Sequence, residues 1–396
     1  MICQPTMSRS FKQYFSRAFQ AAPERLHFAA HSHHYWPDVA VEGHMSAAAL
    51  ATSEADEKWA AIFGEVLPRA RGHIAGILGL PDPSTVAFAP NTHELLVRIT
   101  SSIERGSPLR ILSTDSEFHS FERQTRRWEE AGKVTVTRVP TEPFDDFGAR
   151  FFGALEQGPW DMVFASQVFF NSGFVNPVVA ELAAALRGVP ETTLIVDGYH
   201  GFCALPTSLA PICDRAFYLS GGYKYAMAGE GACFAHCPPG WAPRPKNTGW
   251  FAGFGELAGG IGDRVQYAED GMRMMGATFD PTPWFRFNAV WDLWAREGVG
   301  IEEIHAHVAA RQARLLGGVE ADSPGCLAGA ERLPGDGHAF GHFVTFRTDR
   351  AGALHEALRE SNVLTDYRGD RLRFGVALYH DDEDVDRVLD VLSQLS

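Results

Sequence analysis

Two short stretches of this chain carry residue types able to do covalent chemistry on an amine. Ile-Val-Asp-Gly-Tyr-His occupies 195–200 and Leu-Ser-Gly-Gly-Tyr-Lys-Tyr occupies 219–225. Each opens as a β-type run and closes on polar residues, so Asp197 and Lys224 fall just beyond the C-terminal ends of two strands. Open α/β sheets hold their ligands there. A lysine so placed can condense with an aldehyde, and a carboxylate can keep a pyridine nitrogen protonated so that the ring draws electrons from a carbanion. The pair therefore suits pyridoxal 5'-phosphate (PLP). A structural ion pair beside a loop lysine would give the same two residues. Pro-Asn-Thr-His-Glu at 90–94 closes a strand and opens a helix, a setting whose free N–H groups and dipole attract phosphate. An ordinary N-cap at Asn91 explains it equally. Asp-Ser-Glu-Phe-His-Ser at 115–120 follows the next strand, where a flat side chain could cover a cofactor ring; taken alone, His119 reads as a helix-start residue.

The elements that must position these groups begin near Thr85. Runs at 85–90, 110–114, 133–139, 162–168, 193–197, 216–220 and 231–236 read as strands. Helical patterns at 92–103, 118–131, 145–155 and 178–187 alternate with them, which predicts a mostly parallel sheet with crossover helices. After Pro283 the pattern becomes one long helical stretch over 287–316, then a Gly/Pro-rich segment over 317–341. Strands at 343–347, 362–365 and 371–374 with helices at 351–360 and 382–395 predict a small α+β unit. The fold class is thus α/β, divided into a large domain over 24–285 and a small C-terminal domain over 286–396. Residues 1–23 contain Arg9, Lys12 and Arg17 with no acid before Glu24, as organelle transit peptides do. Phe11, Tyr14, Phe15, Ala18 and Phe19 instead repeat at helical spacing, which predicts an N-terminal helix docked on the small domain.

The 396 residues suffice for two or three units at ~150 residues each. No apolar run approaches the ~20 residues of a membrane span. The formal charge of −14 comes without a basic stripe, which excludes a nucleic-acid partner. Six cysteines, at 3, 203, 213, 233, 237 and 326, form no secreted disulfide framework and point to a reducing cytoplasm. His31, His33 and His34 lack a zinc spacing and read as the polar lining of a site mouth. Strand alternation sets Cys233 and Cys237 on one face and His236 on the other, so that stretch reads as a core strand and no metal is expected.

Glu-Phe-His-Ser at 117–120, Asp-Gly-Tyr-His at 197–200, Gly-Tyr-Lys-Tyr at 222–225 and Arg-Phe-Gly at 373–375 share the order seen in class V aminotransferase-like, fold-type-I PLP enzymes. The chain resembles these enzymes from about Leu26 to its end, and within them it looks most like kynureninase. Thr-Gly-Trp-Phe at 248–251 resembles the Gly-Trp-Phe segment of that family. Asp-Tyr-Arg at 366–368 and Leu-Tyr at 378–379, on either side of Arg-Phe-Gly, resemble its C-terminal pattern. The resemblance implies that Lys224 carries the cofactor and shuttles a proton, that Asp197 partners the pyridinium, and that His200 sits beside them. It further implies a phosphate held by Tyr223, Thr92 and His93, with Thr278 reaching in from the second subunit of a homodimer. His119 would stack on the cofactor ring, Arg373 would grip a substrate α-carboxylate, and Trp250, His31 and His33 would line the substrate pocket.

The activity implied is hydrolytic Cβ–Cγ cleavage of an amino acid with release of alanine. Transamination to a 2-oxo acid shares its early steps. Desulfurase-type elimination ranks lower because 363–369 holds no cysteine. A non-catalytic binding protein ranks last, since it has no need of Lys224, Asp197 and Arg373 together. One departure bears on substrate: where kynureninases carry Gly-Asn-Ser-Leu-Gly, this chain has Ala-His-Ser-His-His-Tyr-Trp-Pro at 30–37.

Overall fold

Runs such as Met-Val-Phe-Ala-Ser and Ala-Phe-Tyr-Leu-Ser are apolar on both faces, the composition of strands covered by helices on both sides. In the computed structural model, which describes residues 9–189, 191–259 and 263–395, Met162–Ser166 and Ala216–Ser220 are accordingly buried along their whole length. They belong to a seven-stranded sheet ordered Val86–Ala89, Cys233–His236, Ala216–Ser220, Thr193–Asp197, Met162–Ser166, Leu109–Thr114, Val134–Val139. Only Cys233–His236 runs against the others. The C-terminal ends of five neighbouring or near-neighbouring strands therefore open on one edge, above Ala89, Thr114, Ser166, Asp197 and Ser220.

The expected strands appear within two residues of their predicted ends. The long helix does not. It is two helices, Thr282–Glu297 and Ile301–Asp322, parted where Gly298 takes φ +67° and its N–H caps the carbonyl of Ala295. The second helix also runs into the segment read as Gly/Pro-rich, which further contains the edge strand Glu331–Leu333. Helices Asp38–Glu54 and Leu67–Leu78 had no counterpart in the sequence reading.

The C-terminal part forms an antiparallel sheet ordered Asp366–Arg368, Arg371–Gly375, Phe343–Arg347, Glu331–Leu333. Arg368 faces Arg371 across a two-residue hairpin loop whose first residue, Gly369, has φ +59°. That register sets Asp366 directly opposite Arg373. A second hydrophobic cluster, including Phe28, Val308, Leu354, Phe374 and Val388, lies beneath this sheet. Leu26–His27 pairs in parallel with Val363–Leu364, and Ala29 bridges to Gly375. The chain entering the large unit is thus stitched to the small sheet before it reaches His31.

The described N-terminal residues form a short turn, Lys12–Phe15, and the helix Ser16–Ala21; residues 1–8 lie outside the described residues. Phe15 is fully buried, its ring centroid 5.2 Å from that of Tyr379 and 6.3 Å from that of Trp294. Lys12 Nζ pairs with Asp384 at 2.8 Å, and Ser16 Oγ donates to Asp38 at 2.6 Å. The segment therefore touches the helix Thr282–Glu297, the C-terminal helix Asp382–Gln394 and the start of Asp38–Glu54 together. Among the described residues no helix is long and apolar enough to cross a membrane. Phe15→Ala should lower stability by about 3–4 kcal/mol, the usual cost of emptying a buried phenylalanine site. A urea titration showing a loss below about 1 kcal/mol would mean that the segment is only loosely docked.

Candidate active site

The edge where the strands end encloses a cavity of about 230 Å³. Its walls are largely aromatic and aliphatic, from Phe118, Phe121, Phe164, Val168, Phe170 and Leu219. Asp197, Tyr199, His200, Tyr223 and Lys224 supply its polar side, and Thr92 and His93 close one end. Asp197 is the last residue of its strand, and its Oδ1 accepts the N–H of Tyr199 at 2.9 Å. Lys224 follows Ala216–Ser220 by four residues, with 5% of its surface exposed. Its Nζ lies 2.7 Å from His200 Nε2 and 4.8 Å from the centre of the Tyr199 ring.

Electrostatics decide the state of this amine. Burial lowers the Lys224 pKa to about 7, with Asp197 acting in opposition and Arg373 adding to the drop. A large share of the amine is then an uncharged nucleophile near neutral pH. His200 is pushed well below its ordinary range by burial and then by Lys224 and Arg373, so it is a neutral imidazole at the lysine's side. Burial raises the Asp197 carboxyl, while the Tyr199 N–H and Lys224 pull it back.

The cavity fits PLP by its donor set. The helix Thr92–Ser101 begins at its end, with Asn91 as a true N-cap accepting the N–H of Glu94 at 2.9 Å, so the remaining free N–H groups suit a phosphate. His93 Nδ1 and His200 Nδ1 are buried with no protein partner. A carboxyl, an amine and ring faces complete a slot for a flat pyridine.

Of the residues named from sequence, the structure brings Lys224, Asp197, His200, Tyr223, Thr92 and His93 into this one cavity. His119 does not join them. It is exposed, and the ring that faces the cavity is Phe118, 5.4 Å from Lys224 Nζ. The helix His119–Glu130 starts one residue later than expected, so Phe118 is an extended N-cap turned inward and His119 turns out. His31 and His33 also part company. His33 is on the surface, stacked on Tyr223 at 5.0 Å, whereas His31 is buried and stacked on Phe343 at 4.7 Å. Trp250 and Thr278 lie outside the cavity of their own chain, both exposed, with Trp250 Nε1 donating to Thr278 Oγ1 at 3.2 Å. Arg373 is 3% exposed on the small sheet, its guanidinium donating to the Phe170 carbonyl and to Asp366. Among the described residues no cluster of His, Cys, Asp and Glu could hold a metal ion.

Glu117 was not singled out from the sequence, although it sits inside a motif that was. It is buried, accepting the Thr114 hydroxyl at 2.7 Å and the Ser166 N–H at 3.2 Å, with Ser166 Oγ 2.5 Å from its second oxygen. Burial lifts its pKa to about 8 against those hydrogen bonds, with Asp197 adding to the rise.

Residues 330–392 match the family described as the kynureninase C-terminal domain. The fold of the chain is the fold-type-I fold of PLP enzymes. The structure is similar to a cystine C–S lyase in complex with its reaction product cysteine persulfide, with TM-score 0.82 and 19% identity over 96% of this chain and 100% of that one. A C-DES variant with glycine covalently linked to its PLP cofactor gives 0.81 and 18%, covering 96% and 99%. A cysteine desulfurase from Thermococcus onnurineus NA1 gives 0.79 and 14%, covering 98% of each chain. No curated protein matches the chain in sequence.

The Glu117 carboxyl yields a pH test. Its folded pKa of about 8 exceeds the ordinary 4.5, so the folded state holds a proton that the unfolded chain has lost, and its contribution falls as pH rises between those values. Glu117→Gln keeps the shape and places an amide donor toward Ser166 Oγ. The variant's melting temperature should gain on the wild type from pH 5 to pH 8. A constant difference across that window would mean that Glu117 is ionised in the fold.

Proposed function

We infer that this chain is a PLP-dependent enzyme acting on an α-amino acid, and that the reaction is kynureninase-like hydrolysis of the Cβ–Cγ bond to alanine and a carboxylic acid. The observation that carries the first part is the Lys224 amine, held near neutrality beside His200 in a cavity that also contains Asp197. The kynureninase C-terminal domain, which supplies Arg373 from the small unit, supports the second.

When bound, PLP supplies an aldehyde for exchange with the substrate amine and a ring that stabilises charge at Cα. The chain's own residues do the rest. Lys224 Nζ takes and returns the Cα proton, with His200 Nε2 orienting it. Asp197 would hold the ring nitrogen's proton, and Phe118 would cover a ring face. Thr92 and His93 would hold the phosphate at the helix start. Arg373, always charged and planar, fixes the α-carboxylate and thereby the direction of the Cα–H bond. Trp250 and Thr278, unused in their own chain, are offered to the site of a second copy in a homodimer.

One structural observation favours a second reading, β-elimination at a C–S bond: the likeness to a cystine C–S lyase. Desulfuration through an enzyme cysteine is less well supported. Cys326 is buried with its thiol on the Leu392 carbonyl. Cys233 lines the cavity, but burial pushes its thiol up to about 11, which leaves little thiolate.

Incubation with PLP followed by borohydride reduction should leave the adduct on Lys224 in peptide mass spectrometry; an adduct on another lysine would sink the assignment. Asp197→Ala should weaken PLP binding and lower kcat by about 100-fold or more as the electron sink fails, and unchanged turnover would make this carboxylate merely structural. L-kynurenine or its 3-hydroxy form should release alanine. If cystine gives pyruvate instead, the elimination reading replaces hydrolysis. If amino groups pass to 2-oxoglutarate, transamination does.

A further inference from the structure

The hydrogen bonding of Arg373 is lopsided. Its Nη1 donates to the Phe170 carbonyl and its Nη2 to Asp366 Oδ2, while Nε, on the same edge of the fork as Nη2, is buried with no partner. A carboxylate normally takes two parallel N–H groups from one edge of a guanidinium. Asp366 takes one, because its other oxygen is held by Arg368 at 2.7 Å. This edge is therefore only half used although the side chain is 3% exposed. Phe170 joins it to the cavity, since its carbonyl holds Arg373 while the residue itself lines the wall.

The surroundings of Asp366 are equally unbalanced. His31 Nε2 stands 3.7 Å from Asp366 Oδ2, beyond hydrogen-bond reach, and neither ring nitrogen of His31 has a partner although 1% of the residue is exposed. The ring is held there by stacking on Phe343. Room for it depends on Gly375, where a Cβ would come 2.2 Å from His31 Nδ1. An unpaired buried imidazole is costly unless some state of the protein pairs it.

We propose that Asp366 is an internal competitor for the substrate carboxylate. It occupies Nη2 of Arg373 in the free chain, yields the Nε and Nη2 edge to the incoming α-carboxylate, and moves onto His31 while keeping Arg368. This rests on the reading that Arg373 binds the substrate carboxylate. It adds that Asp366 and His31 set the strength of that binding, Asp366 against it and His31 for it, as positioning residues that touch no reacting atom.

The two possible roles of Asp366 predict opposite signs. Binding of L-alanine and of ethylamine, which carries hydrogen in place of the carboxylate, is measured on the holoenzyme by calorimetry and by the shift of its visible band. Asp366→Asn keeps the shape and removes the competing charge, so L-alanine should bind roughly fivefold tighter with ethylamine unchanged. His31→Ala should weaken L-alanine by a similar factor, and His31→Gln, which restores an N–H, should recover it. In turnover these changes should fall on KM and leave kcat near wild type. Weaker or unaltered L-alanine binding by Asp366→Asn would show that Asp366 merely braces Arg373, and the proposal would fall while the role of Arg373 stood. If wild type and Arg373→Lys bind the acid and the amine alike, the carboxylate role of Arg373 fails and takes the proposal with it.

Discussion

The desolvation of one amine governs this structure. Lys224 is carried by Gly221 and Gly222 from the end of a fully buried strand to the wall of the cavity, where 5% of its surface is exposed. A charged ammonium there costs more than its attraction to Asp197 returns, and so its pKa drops to about 7. Everything nearby follows that constraint. His200 must be neutral to sit 2.7 Å away, and Tyr199 and Tyr223 turn ring faces toward the amine. Both carboxyl and amine lie at C-terminal strand ends, so the parallel arrangement of the sheet is what brings them to one edge.

The small unit matters because it delivers the second cation. Arg373 comes from a hairpin whose two-residue loop fixes the register with Asp366, and it reaches the cavity through the Phe170 carbonyl. The relative placement of the two units therefore sets the distance between Arg373 and Lys224. Several independent ties hold that placement: the strand pairing of Leu26 with Val363, the bridge from Ala29 to Gly375, and the buried Phe11 and Phe15 wedged against Trp294, His307 and Tyr379. Residues 9–38 thus run from the junction of the units straight to the rim of the site.

What could be read from the sequence follows from which signals are local. Buried parallel strands announce themselves as apolar runs, and a polar residue at the end of such a run is a candidate site residue by topology, so the meeting of Asp197 and Lys224 in one cavity was legible. The choice between Phe118 and His119 was not, because it turns on whether a helix starts at one residue or the next. His31 and His33 differ by two positions and look alike in sequence, yet one packs on Phe343 under the small sheet and the other lies on the surface. That division depends on the contact between Ala29 and Gly375, which is 346 residues long in sequence. Helix Asp38–Glu54 escaped because the stripe it buries is Ala40, Gly43 and Ala47, small residues that carry little hydrophobic periodicity while allowing close packing on Thr282–Glu297.

Charge accounting joins the two halves of the site. Arg373 is a buried cation matched by Asp366, and Lys224 is a partly charged amine matched by Asp197. Burial, with a smaller contribution from Asp197, lifts the Glu117 pKa to about 8 against its hydrogen bonds from Thr114 and Ser166. Burial raises the Asp197 carboxyl as well, and the Tyr199 N–H and the Lys224 amine are the groups that favour its anion. The neutral histidines His31 and His200 add nothing to the sum at neutral pH. A site so close to balance gains an excess negative charge when a carboxylate enters, and the low dielectric makes that excess expensive. Of the anions present, only Asp366 has a second cation, Arg368, that is itself half exposed and open to solvent. The excess is therefore best absorbed there, by a carboxylate that can leave Arg373 for His31 while keeping Arg368.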